Sequence, residues 1–185
     1  LGTRLGVTAA LAMILSPLLK RWMLPVLVAS QAVPVFAMAP ILVLWLGYGM
    51  ASKVGMAVLI IFFPVASSFY SGMRRTDADL LELARIMGAT PLKTLTAIVV
   101  PSALPAFAAG LRVATAVAPI GAVVGEWVGS SSGLGFAMLH ANARMQIDVM
   151  FAALTLLAAA SLSLYFLVDR LLDRLVFWQP GQGLS

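Results

Sequence analysis

The sequence predicts an all-α fold, a polytopic bundle of membrane-spanning helices, and three observations lead there. Sixty-two per cent of the 185 residues are hydrophobic and only 10% are charged. The mean hydropathy of +1.02 lies far above what a soluble core requires. The charges are gathered into clusters, and between them run uncharged stretches at 5–19, 22–52, 54–73, 94–111, 113–125 and 149–168. A helix needs roughly 20 mostly apolar residues to cross a bilayer, so these stretches are the candidate spans and the clusters are the wet loops.

Taken in order, the stretches give about five spans, near 3–19, 24–46, 52–72, 102–127 and 148–168, with the fourth interrupted by Arg112. Pro25, Pro34, Pro40, Pro64, Pro105 and Pro119 fall inside them. Lipid tolerates proline in a helix where neighbouring helices re-satisfy the freed carbonyls, so kinked helices in contact with protein are expected.

Five crossings place the two ends on opposite sides, and positive residues prefer the cytoplasmic face. One orientation puts Lys20, Arg21, Arg74, Arg75, Arg85, Lys93, Arg170 and Arg174 inside and leaves Arg4, Lys53 and Arg144 outside. That orientation makes the protein a multi-pass plasma (inner) membrane protein with a cytoplasmic C-terminus. The chain begins at Leu1 with no visible signal peptide. We read it as N-terminally truncated, with one further helix giving six spans and both ends inside.

The net charge of +5 forms no aromatic-interleaved groove, which argues against nucleic acid and for contact with anionic lipid. The chain has no cysteine and a single histidine, His140, so neither a disulfide framework nor a zinc site is expected. His140, Arg144 and Asp148 read as solvated groups or contacts for a docking protein. The Gly/Ser-rich run from Gly129 to Gly135 lacks the lysine of a phosphate-binding loop and reads as a turn. No nucleophile–base pair stands out, so catalysis and cofactors are not expected.

Residues 73–101, MRRTDADLLELARIMGATPLKTLTAIVVP, form the longest polar interruption. They read as two short helices. Thr76 can cap the first, with Asp77 and Asp79 in its first turn, and Gly88 can take the left-handed conformation that ends it. Thr90 caps the second and Pro91 starts it, where a missing N–H costs nothing. Leu80, Ala84 and Met87 make an apolar stripe on a helix too short to span. It rests on lipid headgroups or it has a protein partner.

Glu82, Ala84, Gly88, Ile98 and Pro101 stand at the spacing E-x-A-x3-G-x9-I-x-x-P. This resembles the EAA loop of binding-protein-dependent ABC importer permeases, from whose pattern Leu83 and Val100 depart conservatively. The resemblance implies a single type-1 transmembrane domain over residues 1–185. It also implies a coupling helix within 73–101 that enters a groove on a separate cytoplasmic ATPase. Glu82 would meet a basic groove residue, and the small Ala84 would permit close approach. Read from the residues alone, Glu82 is a solvated partner of Arg85, worth about 0.2–0.5 kcal/mol.

SQAVPVFAMAPILVLWLGYG and GEWVGSSSGLGFAML are similar to the nitrate, sulfonate, taurine and thiamine-pyrimidine branch of these permeases. GEWVG most resembles the hydroxymethylpyrimidine members. The implied function is an ATP-driven import permease for a small polar solute of that type, or for an aliphatic sulfonate, taurine or nitrate. The implied partners are an ABC ATPase dimer, a second permease copy and a periplasmic or lipid-anchored solute-binding protein. A non-transporting membrane scaffold and an intramembrane enzyme are the readings from other classes.

Four residues are candidates for the translocation path. Arg112, about ten residues into the fourth span, lines a wet cavity or is a structural arginine satisfied by carbonyls or by snorkelling. Glu126, beside Trp127 at that helix's outer end, lies at the mouth or is an exposed loop carboxylate. Gln31 and Tyr70, with Ser30, hydrogen-bond a solute or join helices together.

Overall fold

The computed structural model describes residues 1–178, apart from the side chain of Val35, and all its regular elements among them are helical. They run α1 (Gly2–Leu15), α2 (Pro17–Ala32), α3 (Val35–Leu46), α4 (Met50–Arg74), α5 (Ala78–Ile86), α6 (Pro91–Thr94), a π-helical turn (Leu95–Val99), α7 (Val100–Gly129), α8 (Leu134–Ala143) and α9 (Ile147–Leu175).

Two prolines redraw the expected spans. A proline's Cδ crowds the residue before it and drives that residue out of the helical region. Ser16, before Pro17, has φ −132° and ψ 112°, and Val33, before Pro34, has φ −84° and ψ 121°. The span expected at 3–19 therefore ends at Leu15, and Ser16 caps a new helix by accepting the Leu19 N–H at 3.3 Å. The span expected at 24–46 breaks into α2 and α3, bent by 111°.

By length and composition three helices can cross a membrane, namely Met50–Arg74, Pro91–Gly129 and Ile147–Leu175, or four if the bent α2–α3 pair counts as one. Helix α1, Gly2–Leu15, is a shorter apolar helix packed along α4. These helices form the all-α polytopic bundle expected from the sequence. The fourth span, expected at 102–127, lies in the later part of a 39-residue helical run, Pro91–Gly129.

The bundle is built around α4. Helix α7 runs antiparallel to it: a Cβ at Gly72 would meet Ala103 and Ala106, one at Gly121 would meet Ala57, and one at Gly125 would meet Lys53. At Gly110 the approach is tightest, with an added Cβ only 2.5 Å from Ser68 Cβ and 2.6 Å from the Pro64 carbonyl. Small residues allow such backbones to close where lipid gives no hydrophobic drive. Helix α1 lies parallel on another side of α4, with Gly2 against Val58 and Ile61 and Gly6 against Phe62 and Val65.

Buried residues form two clusters. One, toward the Arg74 end, joins Ala9, Ala10 and Met13 to Phe69, Tyr70, Met73, Val99 and Ala103. The other, toward the opposite end, joins Ala39, Leu42, Met56 and Val124. Helix α9 packs against α7 and α8 and buries Ala153 and Leu172, so much of its apolar surface faces outward, as suits lipid.

Candidate functional site

The segment after Arg74 is built by local chemistry. Thr76, expected as the cap of the short helix, instead donates its hydroxyl to the Met73 carbonyl and closes α4. Asp77 takes the capping role, accepting the Asp79 N–H at 2.9 Å. Its carboxylate also lies at the positive end of the helix dipole, which suits Asp77 better than a hydroxyl. Helix α5 ends in a Schellman motif: Gly88 donates to the Arg85 carbonyl at 3.0 Å and Ala89 to the Ala84 carbonyl at 2.9 Å. The motif needs a left-handed residue, and Gly88 has φ +71°. Thr90 then caps the next helix, its hydroxyl accepting the Lys93 N–H, with Pro91 in first place.

This architecture turns apolar side chains outward. Ile86 is 78% exposed and Met87 76%, with Leu80, Leu83 and Leu92 also exposed nearby. Glu82 is exposed, and it makes no salt bridge with Arg85 among the described residues. Ala84 is 3% exposed. It faces its own chain, not the exposed leucine–isoleucine–methionine surface beside it.

Ile98 and Pro101 lie farther on, where the helical run begins. Proline lacks an N–H, and its ring presses on the carbonyl four residues earlier. The helix answers with the π turn Leu95–Val99, in which the Val100 N–H reaches back to the Leu95 carbonyl. Such wider turns are the usual way a helix absorbs an extra residue, and they recur at functional places.

Arg112 has partners that the sequence reading did not name. Its Nε donates to Asp169 and its Nη2 to Asp173, both at 2.5 Å. The two aspartates stand one turn apart near the end of α9, so the guanidinium fork bridges α7 to α9. The signal was present in the sequence: an arginine inside a span needs a counter-charge, and these carboxylates end the span on the same side.

At the opposite end, Glu126 is half-buried and accepts the Gly135 N–H at 2.7 Å. It is not a fully exposed loop carboxylate. Trp127 stacks on Phe36, with ring centroids 5.6 Å apart. Close by, Tyr48, Gly49, Lys53, Gly129 and Ser130–Ser132 line an open concavity of about 470 Å³.

Tyr70 is 5% exposed within the α1–α4 cluster, with Arg74 near its ring face. Ser30 donates to the Leu27 carbonyl, while Gln31 is exposed. The four pathway candidates are therefore not gathered into one site. Arg112 and Glu126 alone stand 14 residues apart on one helix, about 21 Å.

Residues 2–178 match the family model of the binding-protein-dependent transport system inner membrane component. The chain belongs to this family. It is 57% identical over 177 residues to a probable ABC transporter permease protein of Haemophilus influenzae, covering 96% of this chain and 72% of the relative. It is 38% identical over 178 residues to a formylaminopyrimidine transport permease protein of Halalkalibacterium halodurans, covering 96% and 71%. It is 41% identical over 163 residues to a riboflavin transport system permease protein of Chloroflexus aurantiacus, covering 88% and 61%. This chain is thus an ABC importer permease, a multi-pass inner-membrane subunit that works with an ATPase and a solute-binding protein and is not itself an enzyme.

Proposed function

We propose that the surface around Gly88 is where this permease takes up force from a cytoplasmic ATPase dimer, and that the solute is a small aminopyrimidine of the thiamine-precursor, hydroxymethylpyrimidine type. The observation that supports coupling is the exposed Leu83–Ile86–Met87 surface held at one end of the bundle by the Schellman turn. Apolar side chains on a short charged helix fit a groove in a protein partner, and Glu82, which makes no salt bridge among the described residues, is available for a basic group there. The pyrimidine reading is supported by the GEWVG stretch at 125–129 and by the formylaminopyrimidine relative. A second permease copy completes the assembly, with its α5 on the second ATPase. Closure of the ATPases on ATP would draw the two α5 helices together and turn the cavity outward, and hydrolysis would return it.

One set of membranes tests both halves. ATPase recovered with tagged permease, and uptake of labelled hydroxymethylpyrimidine, are measured at equal permease levels for wild type, Gly88→Val and Glu82→Lys. Gly88→Val strains the left-handed turn, and Glu82→Lys reverses a charge. Both should recover at most about a tenth of the ATPase, the loss expected when a charge-assisted or well-packed contact worth about 1.5–3 kcal/mol goes. A helix resting on anionic headgroups would gain from the added lysine. Undiminished recovery in both variants overturns the coupling reading. Uptake of taurine in place of the pyrimidine moves the solute to the sulfonate branch.

A further inference from the structure

The Glu126 carboxylate is enclosed by the loop that follows its own helix. It accepts the Gly135 N–H at 2.7 Å, nine residues on. Gly133 lies directly against it: a Cβ there would stand 2.3 Å from the carboxyl carbon and 2.3–2.4 Å from its two oxygens. Gly133 also has φ +121°, a conformation that side-chain-bearing residues rarely adopt. A Cβ on Gly135 would stand 3.0 Å from a Glu126 oxygen and from the Val123 backbone. Glycine at 133 thus answers to the carboxylate, and the carboxylate in turn answers to an amide near the start of α8.

The loop held this way is one wall of the 470 Å³ concavity, supplying Ser130, Ser131 and Ser132 opposite Tyr48 and Lys53. Ser130 and Ser132 brace each other, the Ser132 N–H donating to the Ser130 hydroxyl oxygen at 3.1 Å. Gly49 on the facing side donates to the Gly129 carbonyl at 3.2 Å. Lys53 has no carboxylate partner among the described residues. With Glu126 turned into the loop, the wall is left with hydroxyls and an ammonium, groups that suit a solute rich in hydrogen-bond acceptors.

We infer that Glu126 is a positioning residue, pinning the 130–135 loop so that the serines and Lys53 form a polar vestibule, and that it acts through its hydrogen bond rather than through its charge. The role of the vestibule in admitting solute rests on the functional reading above; the pin itself does not.

Hydrogen exchange of the 129–137 segment, measured by mass spectrometry on the permease with its ATPase in lipid nanodiscs, reads the Gly135 amide. Glu126→Gln keeps an acceptor oxygen at the same reach and should exchange within about twofold of wild type. Glu126→Ala should exchange faster by on the order of tenfold, because the loop loses the hydrogen bond that holds it. Gly133→Ala, which leaves the glutamate in place but denies it room, should do the same and serves if the alanine variant folds poorly. Uptake of labelled hydroxymethylpyrimidine should follow the same order, with ATPase recovery unchanged. Unaltered exchange in Glu126→Ala, or Gln as fast as Ala, overturns the pin. If wild type takes up no pyrimidine while the exchange order holds, the solute reading has failed and the pin stands.

Discussion

An arginine within a span is the residue on which sequence and structure differ most usefully here. Arg112 was legible as an anomaly, since a charge about ten residues into an apolar stretch demands explanation. Its answer was not legible, because Asp169 and Asp173 lie 57 and 61 residues away and meet it only once α9 packs on α7. Glu126 and Gly135 repeat the case over nine residues. By contrast Gly88, Thr90 and Pro91 could be read directly, because capping is decided within five residues. The pair makes Arg112 a strut, with half-open side chains that limit its worth to roughly 1 kcal/mol. Arg112→Leu should therefore lower the melting temperature of the purified permease by about 2–4 °C. It strands two carboxylates, so adding Asp169→Leu and Asp173→Leu should recover most of that loss. A triple variant less stable than the single one would exclude the strut.

At the scale of elements, hydrophobic runs located the helical stretches, and prolines decided where they end. The runs at 5–19 and 22–52 look continuous by hydropathy, yet Pro17 and Pro34 each force the preceding residue into extended backbone and break them. Pro64, Pro105 and Pro119 do not break α4 and α7, since both are held along their length by each other. That contact depends on glycine where the backbones meet, a feature of pairing that a single helix's sequence does not display. Gly110 is the tightest point: a side chain there runs into Ser68 and the Pro64 carbonyl, backbone that cannot turn aside. Gly110→Val should destabilise the bundle by about 1–3 kcal/mol, the usual cost of overpacking, seen as faster unfolding in detergent. Gly47→Val is the control for glycine loss without crowding, having open space around it but a positive φ of +78°. A Gly110 variant as stable as wild type would show that the α4–α7 seam is looser than its geometry.

For the whole molecule, the decisive relation is that α4 has the proposed coupling surface at one end and the serine-lined concavity at the other. Its 25 residues reach about 37 Å, more than a bilayer core of roughly 30 Å. The Gly88 turn and Lys93 follow its Arg74 end, while Tyr48, Lys53 and the serine loop gather at the other, joined there by the Gly49–Gly129 hydrogen bond. An antiparallel α7 returns the chain across the same distance. With α4 crossing the bilayer, its two ends lie on opposite sides of the membrane whatever the details of α1–α3. Which side is which is proposed from charge: Arg74, Arg75, Arg85 and Lys93 lie at the same end as Arg170 and Arg174, and basic loops favour the cytoplasmic side. The absence of native cysteine gives single-cysteine variants no background. Cysteines at the exposed positions 75 and 93 should resist an impermeant maleimide added to intact cells and react after permeabilisation, whereas cysteines at 131 and 144 should react at once. The expected contrast is on the order of tenfold or more, because a bilayer core excludes a charged reagent. Labelling of 93 and 144 at equal rates would break the opposition of the two ends. Labelling of 93 alone would keep that opposition and invert the protein, moving the proposed ATPase contact to the wrong side of the membrane.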